Sequence, residues 1–358
     1  MDFYFSLRYT LSIEDDLTIA LVYNSETKVF RGVSQDILAI KSTSDTADAI
    51  YRGLDSLGFH VARIKINGSL NSLNRELIKL DPKKTLVFNL CDGFKGVVTA
   101  QAHVTHIIDS LSFAQTGSTS ETVNKCVNKA LTKQTLVSAG LPTPPYQIFE
   151  HAEGVVGLKF PVIVKPLYED GSVGINLDSV AQTRADMFRQ IDYILTNYKQ
   201  PALVEEFIHG RELSVSLWGN EQLEALPIVE HDFSHISDPN AHLLTYQSKW
   251  VPDFYAAHKI IWKCPAVLSA PVKESVLRTA MAAYRAMGLR DLGRIDFRYF
   301  NGIPYILDIN EIPDLDPEAG FAQSAKVGGY SYPGMIQKII DIALRRVNLL
   351  CLAQTIAS

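Results

Sequence analysis

The stretch richest in chemistry is 293–310, which reads GRIDFRYFNGIPYILDIN. Two alternating runs flank Asn301-Gly302, a strong hairpin signal. One face collects Ile295, Phe297, Tyr299, Tyr305, Leu307 and Ile309. The other collects Arg294, Asp296, Arg298, Asp308 and Asn310. A two-residue loop sets Asp296 opposite Leu307, so the two strands disagree about which face is core. A three-residue loop over 301–303 sets Asp296 opposite Asp308 and Phe297 opposite Leu307. A one-residue slip turns every side chain over, so the burial pattern selects the second register. Two carboxylates then sit side by side, with Asn310 two residues on along the same face. Like charges placed opposite each other destabilise a sheet, which calls for a cation. Oxygen ligands with open positions suit Mg²⁺, whose other ligands are phosphate oxygens and waters. The alternative is a solvated polar face balanced by Arg294 and Arg298.

The chain around this hairpin is long enough for two or three domains at 358 residues. With 47% hydrophobic and 20% charged residues, it has ordinary globular usage and is neither disordered nor fibrous. A net charge of -5 and the lack of a basic stripe argue against nucleic acid as a partner. No apolar run approaches the length of a membrane span, and the N-terminus reaches acidic residues too early for a secretory leader. Cys91, Cys126, Cys264 and Cys351 are scattered. They suit small buried hydrophobes in a reducing cytoplasm rather than a disulfide framework. Histidine spacing shows no zinc motif and no GxSxG elbow appears. His103, His106 and His209 read as ordinary polar residues rather than bases.

Strands are expected at 17–23, 61–66 and 85–90, with helices at 43–57, ended by Gly58, and at 73–80. This alternation implies a parallel α/β layer over 1–115. A helix over 121–140 would carry Lys125, Lys129 and Lys133 on one face, followed by a proline-rich linker at 141–145. A strand at 160–165 leads to a glycine-containing turn at 169–174. A helix at 184–198, strands at 202–207 and 212–218, and a helix at 273–287 capped by Gly288 complete the pattern.

Eight segments now stand in order: NKALTK around Lys129, AGLPTP at 139–144, FPVIVKP at 160–166, EEFIHGRE at 205–212, QSK at 247–249, CPA at 264–266, GRID at 293–296 and DIN at 308–310. Together they resemble the ATP-grasp superfamily, and within it the D-alanine–D-alanine ligase branch. The resemblance implies an α/β chain with an ATP-grasp fold: an N-terminal parallel α/β domain (1–115), a central subdomain (116–203) and a C-terminal subdomain (204–350). ATP would lie between the last two. Lys129 and Lys165 resemble the lysines that reach its phosphates. Glu169, at the start of the loop that continues through Gly171 and Ser172, belongs to the part that folds over them. Glu205, with the backbone of Phe207 and Ile208, resembles the adenine-binding linker, and Glu212 the ribose carboxylate. Lys249 corresponds to a lysine near the γ-phosphate, and Arg294 to the arginine that stabilises the transferred group. Asp296, Asp308 and Asn310 fall where the family binds two Mg²⁺ ions, with Mn²⁺ as a substitute. The family usually has Glu at the position of Asp308.

The implied reaction joins a carboxylate to an amine through an acyl phosphate, releasing ADP and phosphate. By analogy the protein would be a homodimer acting on amino-acid-like small molecules. The alternatives are a true D-alanine–D-alanine ligase, an ATP-binding regulator without turnover, and a carboxylase of the same superfamily. The substrate-reading positions depart from the branch. The loop at 24–31, NSETKVFR, lacks the family's glycines. Gly171 replaces a serine, leaving Ser172, and Trp250 replaces a common tyrosine. Asp314 takes the place of a backbone-donating glycine, and Ala319 falls near a carboxylate-binding serine. These departures point to a pair other than two D-alanines.

Overall fold

A computed structural model describes residues 17–67, 69–251 and 260–357, with side chains to 347. The N-terminal segment, with its acidic residues too early for a secretory leader, and the Cys351 side chain lie outside the described residues. The first apolar run forms β1 (Thr18–Asn24), followed by α1 (Ile37–Ser56), β2 (His60–Ile66), α2 (Asn71–Leu77), β3 (Thr85–Asn89), α3 (Ala100–Ser110) and β4 (Ala114–Gln115). The four strands make a parallel sheet in the order β2-β1-β3-β4. Helix α1 starts six residues before the expected position. Its start follows Asp36, which accepts the Val33 N–H (2.8 Å) and the distant Tyr198 hydroxyl (3.2 Å). Helix α3 was not anticipated, although Ala100, Val104 and Ile108 bury one face at helical spacing.

The expected helix over 121–140 is two helices, α4 (Ser120–Val127) and α5 (Lys129–Ser138). Asn128 breaks it at φ −91° and ψ 96°, and its side chain caps α5 by accepting from Ala130 N (3.1 Å) and Leu131 N (3.3 Å). Asparagine competes with the helix in this way because its short amide reaches nearby backbone donors. The break separates the three lysines. Lys125 pairs on the surface with Glu121, whereas Lys129 and Lys133 turn inward, 6% and 1% exposed.

Next come β5 (Tyr146–Phe149), β6 (Val162–Pro166), β7 (Val180–Ala181), α6 (Arg184–Tyr198) and β8 (Ala202–Glu206). These strands form an antiparallel sheet in the order β5-β8-β6-β7. The division expected between 203 and 204 falls inside β8, which belongs whole to this sheet. The remaining chain gives β9 (Arg211–Gly219), β10 (Leu223–Ala225), β11 (Val229–Asp232), α7 (Tyr246–Trp250), β12 (Ile261–Lys263), α8 (Ala270–Met287), β13 (Asp291–Phe300), β14 (Ile303–Asn310), α9 (Gly320–Val327) and α10 (Tyr332–Ala357). Its sheet runs β12-β11-β9-β13-β14, with β10 on β9. Helix α8 covers one face: Val276, Ala280, Tyr284 and Met287 pack on Leu213, Val215, Ile295 and Phe297. Helix α10 returns to the first sheet, where Ile336, Ile339 and Ile340 join Ile19, Leu21 and Phe88 in one core. No described helix is long and apolar enough to cross a membrane.

The hairpin settles its register in a way neither simple loop predicts. Near the turn, Phe300 faces Ile303 and Phe297 faces Ile306, as a two-residue loop requires. Between Asp296 and Phe297 the pairing shifts, and beyond it Asp296 faces Asp308 and Arg294 faces Asn310. The extra residue is Leu307, so Phe297 does not face it. A bulge of this kind inserts one residue and re-aims the side chains beyond it. The core face of β14 is therefore Ile306 and Ile309 rather than Tyr305, Leu307 and Ile309.

Candidate active site

The face of the sheet opposite α8 carries three cross-strand ranks. Ser216, Arg294 and Asn310 form one; Ser214, Asp296 and Asp308 form the next. His231, Glu212, Arg298 and Tyr305 form the third. The small serines of β9 leave room above the charged residues. Arg294 grips Asp296 through two hydrogen bonds (Nε–Oδ1 2.8 Å, Nη2–Oδ2 2.9 Å), and Asn310 Nδ2 donates to Asp296 Oδ2 (3.0 Å). Burial raises the Asp296 pKa, but the Arg294 and Asn310 bonds outweigh it and hold the carboxyl below its ordinary value. Asp308 goes the other way. Burial pushes it up, and the nearby acids Asp170 and Asp296 offset the help from Lys129 and Lys165.

Facing these ranks are buried lysines from α5 and β6. Lys129 Nζ donates to Glu169 O (2.7 Å) and Asp170 Oδ1 (3.0 Å) and lies 3.5 Å from Asp308 Oδ2. Burial works against its charge, yet Asp170 and Asp308 raise its pKa above the usual lysine value. Glu205 has no exposed side-chain surface; it pairs with Lys133 and, at 2.6 Å, with Lys165. Burial would raise its carboxyl, but the two ammonium groups bring it down to about 2. The carboxylate assigned to adenine by resemblance thus lies between two lysines and fixes their positions. Lys133 also donates to Thr143 Oγ1 (2.6 Å) and to the carbonyls of Ile306 (3.3 Å) and Leu307 (3.2 Å). Those carbonyls are at the bulge, so the lysine that orients Glu205 also holds the strand irregularity that aligns Asp296 with Asp308.

The other expected residues fall around the same cleft. Phe207 N–H donates to Pro161 O (2.9 Å), which leaves its carbonyl as the backbone group on offer, with Ile208 beside it. Glu212 pairs with Arg298 (2.7 Å), and burial still raises its pKa. Glu169 is held by Arg31 (2.6 Å) and Gln200 Nε2 (2.7 Å), so its side chain ties the glycine loop to the loop at 24–31. Gly171 and Ser172 both take left-handed φ, +62° and +61°, a region that favours glycine. The loop is clasped from α7: Trp250 Nε1 donates to Gly171 O (2.8 Å), and Lys249 Nζ lies 4.8 Å from the Trp250 ring. Ser172 Oγ donates to Leu244 O (3.0 Å).

Among the described residues, no group of three His, Cys, Asp or Glu side chains is spaced to hold a metal alone. Asp296 and Asp308 supply two carboxylates and Asn310 an amide oxygen, so further ligands would come from outside the chain. A half-buried Asp308 with acidic neighbours suits a divalent cation held in this way.

Residues 135–341 match the family model described as D-ala D-ala ligase C-terminus. The chain belongs to the D-alanine–D-alanine ligase family. It is an ATP-grasp, ADP-forming ligase. An uncharacterized protein of Sinorhizobium fredii, y4sG, is 32% identical over 84% of this chain and 88% of its own length. The D-alanine–D-alanine ligase of Desulforudis audaxviator is 28% identical over 83% of this chain and 92% of its own. In structure, the D-alanine–D-alanine ligase of Bacillus anthracis complexed with ATP superposes with a TM-score of 0.71. It covers 92% of this chain and 98% of its own at 20% identity, which shows the same fold.

Three residues of this cleft carry no assignment from the sequence. Lys133 carried a signal, since it lies four residues after Lys129 on one helix. Asp170 adjoins Glu169 in the loop yet is the acid that meets Lys129. His231, opposite Glu212, sits among Asp296, Arg294, Arg298 and Lys249; burial is the main cause that lowers its pKa to about 4, so it is neutral near pH 7. It had no motif to mark it.

Proposed function

We propose that the ligase joins a carboxylate to an amine, on amino-acid-like substrates other than two D-alanines. One observation carries this reading: the ranks of Arg294, Asp296, Asp308 and Asn310 face the buried lysines Lys129 and Lys165. That arrangement suits charge stabilisation of a moving phosphoryl group. A substrate carboxylate oxygen would attack the γ-phosphorus of ATP, the bond to the bridging oxygen would break, and ADP would leave. The amine nitrogen would then attack the acyl carbon, phosphate would depart, and the nitrogen would release its proton.

The residues have separate roles in this scheme. Lys129 and Lys165 bind phosphate oxygens, and Glu205 with Lys133 keeps Lys165 in place. Phe207 and Ile208 offer backbone groups to the base and Glu212 a carboxylate to the ribose. Arg294 lies beside the acyl centre, with Lys249 near the transferred phosphate. The loop with Gly171 and Ser172 excludes water from the acyl phosphate. Asp296, Asp308 and Asn310 would hold Mg²⁺, which supplies charge neutralisation at the phosphates when bound. The three-part division of the chain at 1–115, 116–203 and 204–350 belongs to this proposal, β8 bridging the second boundary.

The departure from D-alanine rests on the substrate-side residues. Trp250 uses its ring N–H on Gly171 O, where a tyrosine would bring a hydroxyl that also accepts. Asp314 lines the substrate cavity and introduces a negative charge there. The test is ADP release with amino acids and amines, singly and in pairs. Amine-dependent release is expected. Efficient dipeptide synthesis from D-alanine alone would overturn the substrate reading, and nucleotide binding without turnover would favour a regulator.

A further inference from the structure

Two loops from different parts of the chain meet at the end of α6. The first, 24–36, leads from β1 into α1 and lines the substrate cavity of about 230 Å³ with Asn24, Glu26, Phe30 and Arg31. The second is the glycine loop, 169–175. Asn197 O accepts from Gly32 N–H (3.1 Å). Tyr198 is 1% exposed, and its hydroxyl donates to Asp36 (3.2 Å). Gln200 Nε2 donates to Glu169 (2.7 Å), and its Oε1 accepts from Tyr168 N–H (2.7 Å). The Tyr198 ring fills the gap between the loops. A Cβ at Gly32 would lie 3.0 Å from its Cε1, and one at Gly174 would lie 3.1 Å from its Cζ. Both glycines have left-handed φ, +103° and +77°, so each loop meets the ring where a side chain is excluded.

Two further contacts cross between the loops. Arg31 joins them directly through its ion pair with Glu169 (2.6 Å). Tyr246, 2% exposed in α7, donates its N–H to Ile175 O (2.8 Å) and its hydroxyl to Gln35 O (2.6 Å). Glu169 carries the connection on to the phosphate side, since its carbonyl accepts from Lys129 Nζ (2.7 Å). We infer, resting on the ligase reading above, that Arg31, Tyr198 and Tyr246 are positioning residues that make the two loops one lid. Nucleotide that orders 169–175 thereby orders 24–36. The coupling is reciprocal, so a substrate that orders 24–36 raises ATP affinity by the same factor. The acyl phosphate then forms only with both entrances closed to water.

Amide hydrogen exchange of the full chain, with and without ATP and Mg²⁺, tests this. ATP should slow exchange at 169–175 and also, by about fivefold or more, at 26–36. No residue of 26–36 belongs to the nucleotide site assigned above, so direct contact with ATP does not produce the second effect. Two altered chains break the connection. Gly32→Ala drives a methyl against the Tyr198 ring. Arg31→Met combined with Tyr198→Phe and Tyr246→Phe removes the ion pair and both hydroxyl bonds while keeping the rings. In each, ATP should still slow 169–175 and no longer slow 26–36. A merely structural role would raise exchange at 26–36 equally with and without ATP. Two results overturn the proposal: ATP binding, read by calorimetry, without slowed exchange at 26–36 in the unaltered chain, or both altered chains keeping the full effect there. Failure of the unaltered chain to bind ATP would instead overturn the ligase reading on which the proposal rests.

Discussion

On the phosphate side of the cleft, each buried cation has its anion in contact: Lys129 with Asp170, Lys133 and Lys165 with Glu205, Arg294 with Asp296, Arg298 with Glu212. On the substrate side, Asp92, Asp314 and Glu311 line the cavity and form no ion pair among the described residues. The two regions are neighbours along the same cleft, with Lys249, Arg294 and Asn310 at their border. Paired charges hold a shape that nucleotide chemistry needs. Unpaired ones leave the charge balance to the substrate. Removing a charge should therefore damage folding or phosphoryl transfer on the first side, and on the second change substrate preference and the pH dependence of stability while sparing phosphoryl transfer.

The largest effect is expected at Glu205. Glu205→Ala leaves Lys133 and Lys165 buried without their anion and should cost about 3–5 kcal/mol of stability, read by urea unfolding. An unchanged midpoint would break the comparison at its strongest point. Next is Asp308→Ala, which leaves the apolar face of the hairpin untouched. ADP release should fall by about 100-fold or more while the circular dichroism spectrum is retained. Near-normal turnover at saturating Mg²⁺ would remove Asp308 from the metal site. Lys165→Ala should weaken ATP binding by about 10- to 100-fold, measured calorimetrically.

Acid titration should separate the two sides by sign. Glu205 falls from an ordinary 4.5 to about 2 in the fold. Its contribution to stability is present above 4.5 and lost as pH falls toward 2. Asp92 rises from 3.8 to about 6, so its contribution is present below 3.8 and lost as pH rises toward 6. Glu205→Gln should flatten the lower window of a stability–pH curve and Asp92→Asn the upper; both variants acting in one window would contradict the contrast. The smallest effect is expected at the border. Trp250→Phe keeps the ring and deletes the bond to Gly171 O, which should lower kcat/KM about fivefold, the worth of one neutral hydrogen bond.

The hairpin shows how much of the site was legible. Alternation and Asn301-Gly302 placed both strands, and the burial pattern set Asp296 opposite Asp308, as observed. The bulge at Leu307 was not legible. Its carbonyl and that of Ile306 are held by Lys133, and Thr143 Oγ1 donates to Ile306 O (2.8 Å). Both contacts come from residues far away in the chain. The break at Asn128 was visible in kind, since asparagine caps helices, but the lysine spacing suggested one continuous face. Glu205 was placed correctly in the cleft by its motif, whereas its two lysine partners emerged only with the packing of α5 against β6 and β8.

By itself the sequence determined what depends on near neighbours: strand and helix periods, the Asn-Gly turn, the glycine caps at Gly58 and Gly288, and the shared face of Asp308 and Asn310. It also carried the ordered motifs that mark the family. Only the tertiary structure decided which charges neutralise one another and which remain for a substrate. Coulomb and hydrogen-bond energies depend on distance in space and on burial, and both are set by elements that meet from opposite ends of the chain.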